Sequence, residues 1–461
     1  MRHAPTVLLT SPACALAALA CVLLPVAPIA QEPRAATTGT QKGASMAPTR
    51  NVYLQLAGEV EAVLRRDVLD AWFPRSIDTV NGGFRSDFAR DWTPSKSGGK
   101  FSVFQGRMTW IASQVVIRRP DLKERFLPIA AHGLSFLANV MWDRDHGGFY
   151  WHLQDDGTLP AAAADTKDLY GMSFCLYGAA AAYQATRDPG ALALAQRAFR
   201  WIDERAHDAR NGGYFEHLSR TGAVVDATGP AGKASGVGFI GYKSMNTHIH
   251  LLESFAQLHE VWKDETLRAR LAELLSVVRD KVSVDPGVMN QFFTPDWRPI
   301  PDHDSYGHDV EAAYLMHEAE ETLGADRDPR TARMARQLVD HALAFGWDAT
   351  EGGFYRHGPA FGRPEDRAKE WWVQFEGLNA LLLLHEKYGR ETTRYFEAFQ
   401  QQWRFITRFQ LDSEFHGVYE MIGPDGQPTV AAKGRIWKAA YHDGRALLNV
   451  SERLHRLAAT K

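Results

Sequence analysis

Three histidines occupy matching places in three separate helical stretches: His250 in KSMNTHIHLLESF, His308 in YGHDVEAAYLMHEA and His442 in WKAAYHDGRALLNV. A neutral imidazole is the side chain best matched to both giving and taking a proton near pH 7. Brought to one pocket from different elements, such rings could handle a proton on opposite faces of a substrate. A single histidine more often packs and makes one hydrogen bond, and His248, His317 and His341 are read that way. In the first stretch Asn246, His250 and Glu253 recur at i, i+4 and i+7 and share one helix face, while His248 points elsewhere. The same geometry argues against zinc, because HIH on a helix sends its two rings apart. No metal-ligand set is expected.

Further candidates stand near the starts of comparable stretches: Arg107 in QGRMTWIAS, Tyr170 in KDLYGMSF, and Trp371 and Trp372 in KEWWVQFEG. Arg107 supplies a planar, permanent cation for an oxyanion; its alternative is an ion pair with Glu376 or Asp168. Glu311 lies one turn from His308, where it is expected to orient that ring and raise its pKa. Asn246 offers a donor and an acceptor. Adjacent tryptophans on a helix place one ring in the core, so one of the two is expected to face the pocket.

What positions these groups is a repeat. NGGF, HGGFYWH, NGGYFEH, EGGFYRH and FHGVYE recur along the chain, with a degenerate copy in PGVMNQFF. Their glycines at 82, 147, 212, 287, 352 and 417 are separated by 65, 65, 75, 65 and 65 residues. The long step coincides with the glycine-rich insertion GPAGKASGVGFIGYK before Asn246. Each unit has an apolar helical stretch on either side of a short hairpin turn, where glycine permits positive φ and an aromatic covers the core. Six helix pairs that cannot bury their faces singly are expected to close into an all-α (α/α)6 barrel, with inner helices aiming side chains at a common axis. A solenoid is the competing arrangement, and six units without a polar capping repeat favour closure.

The 461 residues carry a formal net charge of −3 and no lysine/arginine block, which argues against nucleic acid or an anionic membrane as partner. The 13 tryptophans and 14 tyrosines suit the apolar faces of sugars. Residues 1–30 are read as a secretory signal cleaved near Ala30, which implies export to the periplasm or beyond; a lipoprotein site at Cys21 is the weaker alternative. Residues 31–50 read as a disordered linker and 51–461 as one catalytic domain, a monomer or a weak homodimer with no membrane span after cleavage. Cleavage would leave Cys175 as the one cysteine, so packing rather than a disulfide must supply stability.

The strings KSMNTHIHLLE, GHDVEAAYL, EWWVQFE and WKAAYHDGR resemble those of cellobiose 2-epimerases, within the N-acylglucosamine 2-epimerase superfamily, over about Val52 to Arg453. The resemblance implies an (α/α)6 barrel that epimerises the reducing-end glucose of β-1,4 disaccharides to mannose without a cofactor. It assigns proton transfer to His308 and His442, support to His250, Arg107 and Glu311, and sugar packing to Tyr170, Trp371 and Trp372. Inversion at C2 of a free aldose needs ring opening, loss of the C2 proton and its return to the other face, through an enediolate. Aldose–ketose isomerisation shares that intermediate. A glycoside hydrolase would need two carboxylates flanking a bond, for which Asp309, Glu253 and Glu376 are available, and a sugar-binding protein would not need His308 or His442.

Overall fold

The computed structural model describes residues 48–225, 234–324 and 328–460. The signal, most of the linker and Cys21 lie outside them. Twelve long helices, among the described residues, alternate between two roles. The outer set is α1 (Arg50–Val63), α3 (Lys123–Phe136), α5 (Pro189–Ala206), α7 (Glu265–Val277), α9 (Pro329–Phe345) and α11 (Arg394–Phe405). The inner set is α2 (Ser102–Arg118), α4 (Leu169–Thr186), α6 (Met245–Val261), α8 (Tyr306–Leu323), α10 (Trp371–Tyr388) and α12 (His442–Ala459).

The division follows from the residues. In α4 every position from Leu169 to Ala182 is buried, as expected of a helix sheathed on all sides. The outer α5 buries one stripe (Ala191, Leu194, Ala195, Ala198) and leaves its polar face to water. It begins on Asp188, whose side chain accepts from the Gly190 N–H at 2.8 Å, followed by Pro189 at the first helical position. Outer helix α9 repeats the device with Asp328 and Pro329. Each inner helix packs on the next, and α12 returns to α2 while also covering α1. The ring closes; the solenoid is excluded.

Between outer and inner helix lies the glycine hairpin. Antiparallel bridges join Ile77 to Phe84, Trp142 to Phe149, His207 to Tyr214, Trp347 to Phe354 and Leu411 to Val418, and Ser283 pairs with Met289 in the fourth unit. The first glycine has positive φ in all six, from 70° at Gly147 to 118° at Gly287. Four or five residues before it an aspartate accepts from turn N–H groups, as Asp143 does from Asp145 and His146. A lysine just ahead of the following inner helix reaches back to that aspartate. The pairs, buried except for a partly exposed Asp348, are Lys100–Asp78, Lys167–Asp143, Lys243–Asp208, Lys369–Asp348 and Lys433–Asp412, at 2.7, 3.0, 2.7, 2.7 and 2.7 Å. The fourth unit has Ser283 and Asp304 at the corresponding places. Short strands ahead of the inner helices pair with strands beyond the next turn (Lys100 with Leu153, Lys369 with Ile422), which ties neighbouring units together at the end where the inner helices begin.

Candidate active site

At that end a cavity of about 400 Å³ opens among the first turns of the inner helices. Arg107, Tyr170, Asn246, His250, His308, Glu311, Trp371, Trp372 and His442, the nine candidates from sequence, all line it. They come from α2, α4, α6, α8, α10 and α12, one or two from each unit. Side chains of a helix lean toward its N-terminus, so the first turns deliver them together.

The three histidines share a pattern. Each is held through Nδ1: His250 at 2.7 Å from Glu253 Oε1, His308 at 2.7 Å from Ser305 Oγ, and His442 at 2.6 Å from Glu376 Oε1. Nε2 is therefore the nitrogen left for a substrate in each ring. Burial pulls His250 and His308 down to about 3 and His442 well below the ordinary histidine value; the Arg107 and Arg445 charges act on His442 in the same direction. Trp372 stands between two of the rings, its centroid 4.8 Å from that of His308 and 5.6 Å from that of His442. It is half-buried, whereas Trp371 is 3% exposed, so Trp372 presents the larger part of its ring and Trp371 lines the cavity from a more buried position.

Arg107 departs from its ion-pair alternative. It donates to the Tyr170 hydroxyl at 3.1 Å and the Trp437 carbonyl at 3.3 Å, lies over the Phe174 and Tyr441 rings, and keeps a buried Nε without a partner. A cation held by neutral groups and rings retains its charge for a ligand. Burial pushes the Tyr170 hydroxyl up to about 12, against the pull of Arg107. Asn246 also keeps a buried Oδ1 without a partner.

Glu311 does not serve His308 as expected. Leaning one turn deeper, it accepts from Arg445 and lies 3.9 Å from His442 Nδ1. His308, in the first turn, reaches back to Ser305 instead. Arg445 is the residue sequence reasoning missed. It is 2% exposed and donates to Glu253, Glu311, Glu376 and the Tyr441 hydroxyl, so one guanidinium gathers three glutamates beneath the cavity. The HDGR spacing was the available signal, since i and i+3 share a face. Burial, together with the Glu311 charge, raises Glu376 to about 8 despite Arg445. Glu311, Glu376 and His442 approach one another closely enough to surround an ion. Oε1 of both glutamates already holds Arg445, which fills the cationic role there.

Comparison with known proteins bears on the family and the fold. The family model described as N-acylglucosamine 2-epimerase (GlcNAc 2-epimerase) matches residues 82–444. A cellobiose 2-epimerase of Bacteroides fragilis is 29% identical over 86% of this chain and 98% of its own length. A D-mannose isomerase of Thermobifida fusca is 26% identical over 77% of this chain and 88% of its own. The solved cellobiose 2-epimerase of Spirochaeta thermophila superposes with a TM-score of 0.78 at 29% identity, covering 88% of this chain and 98% of that one. A GH76 α-mannanase of Bacteroides thetaiotaomicron, at 10% identity and a TM-score of 0.55, shares the fold alone. The chain is a carbohydrate epimerase or isomerase and belongs to the N-acylglucosamine 2-epimerase family.

Proposed function

We propose that this enzyme is a 2-epimerase that interconverts glucose and mannose at the reducing end of β-1,4 disaccharides of the cellobiose type. The observation that carries the reading is the pair His308 and His442. They rise from different units, pack on the same indole and are each tied through Nδ1, so that Nε2 serves the cavity. The named relatives act in the same sense.

The open-chain aldose enters with its C1 oxygen toward Arg107. In one direction His308, neutral because it is buried, takes the C2 proton through Nε2. The electron pair left at C2 delocalises onto the C1 oxygen as an enediolate, and Arg107 stabilises the charge. A proton then returns to the opposite face of C2 from His442 Nε2. The source of that proton is the His442–Glu376 pair. Glu376 raised to about 8 beside a neutral imidazole means that the pair holds one acidic proton at neutral pH. As Nε2–H leaves His442, the Glu376 proton moves to Nδ1. The reverse reaction exchanges the two roles. His250, fixed by Glu253, and Asn246 orient sugar hydroxyls, and Tyr170 holds Arg107 in place.

Aldose–ketose isomerisation is the second reading, supported by the D-mannose isomerase relatives. It returns the proton to C1 rather than C2 of the same enediolate. Hydrolysis is disfavoured because Glu253, Glu311 and Glu376 are engaged by Arg445 beneath the cavity instead of flanking a bond across it. Incubation with cellobiose distinguishes the readings: epimerisation yields glucosyl-mannose, isomerisation glucosyl-fructose and hydrolysis free glucose.

A further inference from the structure

The fourth unit breaks the rule that the other five obey. Elsewhere a lysine just ahead of the inner helix neutralises the turn aspartate; four of those lysines stand two residues before the helix starts. Here Ser283 replaces that aspartate and Asp304, two residues before Tyr306, replaces the lysine. The substitution leaves two buried carboxyls with no lysine beside them. Asp304 (2% exposed) lies carboxyl to carboxyl beside Asp309 (0%), with only long contacts from the Ser305 and Met289 N–H groups, and no lysine or arginine among the described residues pairs with either. Carboxyls taken out of water need a compensating charge or a proton, and the usual relief, a lysine, is absent here.

The third member of the group points to what replaces it. His341 of α9, 4% exposed, has Nε2 at 2.6 Å from the Ala360 carbonyl. That oxygen can only accept, so Nε2 carries the hydrogen. Nδ1 turns inward, 3.4 Å from Asp304 Oδ2 and 3.8 Å from Asp309 Oδ2, also without a hydrogen-bond partner. An imidazole fixed by a backbone carbonyl through one nitrogen and presenting the other to carboxylates is arranged as a metal ligand is. Two ligands about 2.1 Å from a tetrahedral ion stand about 3.4 Å apart, in keeping with these separations.

We propose that Asp304, Asp309 and His341 Nδ1 form a site for a first-row divalent cation such as Zn²⁺ or Mn²⁺, separate from the sugar cavity. One nitrogen and carboxylate oxygens suit that class of ion. Its role is to pin one wall of the cavity. Asp304 and Asp309 bracket the first turn of α8, which carries Ser305 and His308. Asp304 exchanges backbone hydrogen bonds with Gly358 at 2.8 and 3.0 Å, and Tyr306 donates to the Pro359 carbonyl at 3.0 Å. The same loop carries Arg356 and His357 into the cavity lining. The ion thus joins α8, α9 and the 356–361 loop without touching the reacting atoms.

The test uses the full untagged chain, stripped with a strong chelator, dialysed and then loaded with Zn²⁺ or Mn²⁺. Metal content after gel filtration and the melting temperature are read together. The wild type is expected to retain close to one ion per chain and to melt at least about 2 °C higher when loaded. Asp309→Asn, which relieves the charge clash, and His341→Gln, which keeps an amide donor for the Ala360 carbonyl, are expected to fold and to lose both effects. Glu376→Gln, on a different carboxylate–histidine group, should keep both. Failure of the wild type to retain either metal would overturn the proposal and leave Asp304 and Asp309 sharing a proton. Stoichiometric retention by both variants, or its loss in Glu376→Gln, would place the ion elsewhere and overturn it equally.

Discussion

Glu376 Oε1 lies 2.6 Å from His442 Nδ1 and also accepts from Arg445, so one buried carboxylate links the imidazole at the cavity to the guanidinium beneath it. Because burial raises Glu376 to about 8, the pair releases its acidic proton only in alkali. Activity should therefore fall as pH rises through about 8. Glu376→Gln should lower kcat about 10–100-fold with little change in KM, and should abolish the fall near pH 8. A variant that keeps the wild-type alkaline limb would show that the proton resides elsewhere.

His308→Asn and His442→Asn should each reduce turnover by about 10²–10⁴-fold or more, since each removes one face of a two-sided proton transfer. His250→Asn should cost less, in keeping with an orienting role. Melting curves and quenching of tryptophan fluorescence by sugar establish that the variants fold and bind. Near-normal turnover in both would make these histidines structural.

The two adjacent tryptophans should separate by assay. Trp372→Ala removes the indole between His308 and His442 and should raise KM, with a smaller loss of stability. Trp371→Ala empties a site that is 3% exposed and should cost about 3–5 kcal/mol of stability. Steady-state kinetics and urea unfolding on both variants check the assignment, and a larger KM effect at Trp371 would reverse it.

Much of this arrangement was legible because the repeat is written in glycines. Residues 82 to 417 mark six hairpins, and the ring follows from helix pairs that lack a core of their own. The nine candidates lie in the first two turns of the inner helices, at the end where the cavity lies. Arg445 was missed because a single arginine one turn below a histidine has no pattern of its own; its importance appears only when Glu253, Glu311 and Glu376 arrive from three other helices. The partner of Glu311 was misjudged for a related reason. Spacing of three residues puts it on the face of His308, but nearly a full turn of helical rise sets it deeper. The lysine–aspartate pairs escaped because the lysine lies 16 to 31 residues beyond its turn glycine, and the exception at Asp304 could not be read before the rule.

His248, read from sequence as a packing residue, makes two hydrogen bonds within the core: Nδ1 donates to the Ser244 carbonyl at 2.7 Å and Nε2 accepts from the Tyr214 N–H at 3.0 Å. Burial pulls it down to about 4, so the folded chain refuses a proton that the unfolded chain accepts below about 6.5. The stability tied to His248 is fully present above pH 6.5 and is lost as pH falls toward 4. Urea midpoints should decline across that window, and His248→Gln should flatten the decline by about one proton. An unchanged slope would contradict the neutral, buried ring.

The most direct test of the central claim is the fate of the C2 hydrogen. Purified enzyme is incubated with cellobiose in deuterium oxide, and the reducing-end sugars are followed by proton NMR and mass spectrometry. Proton transfer between His308 and His442 predicts a glucosyl-mannose product carrying deuterium at C2, with no free monosaccharide and no glucosyl-mannose formed by the His442→Asn variant. A mannose-type product that retains the original C2 hydrogen would contradict the account.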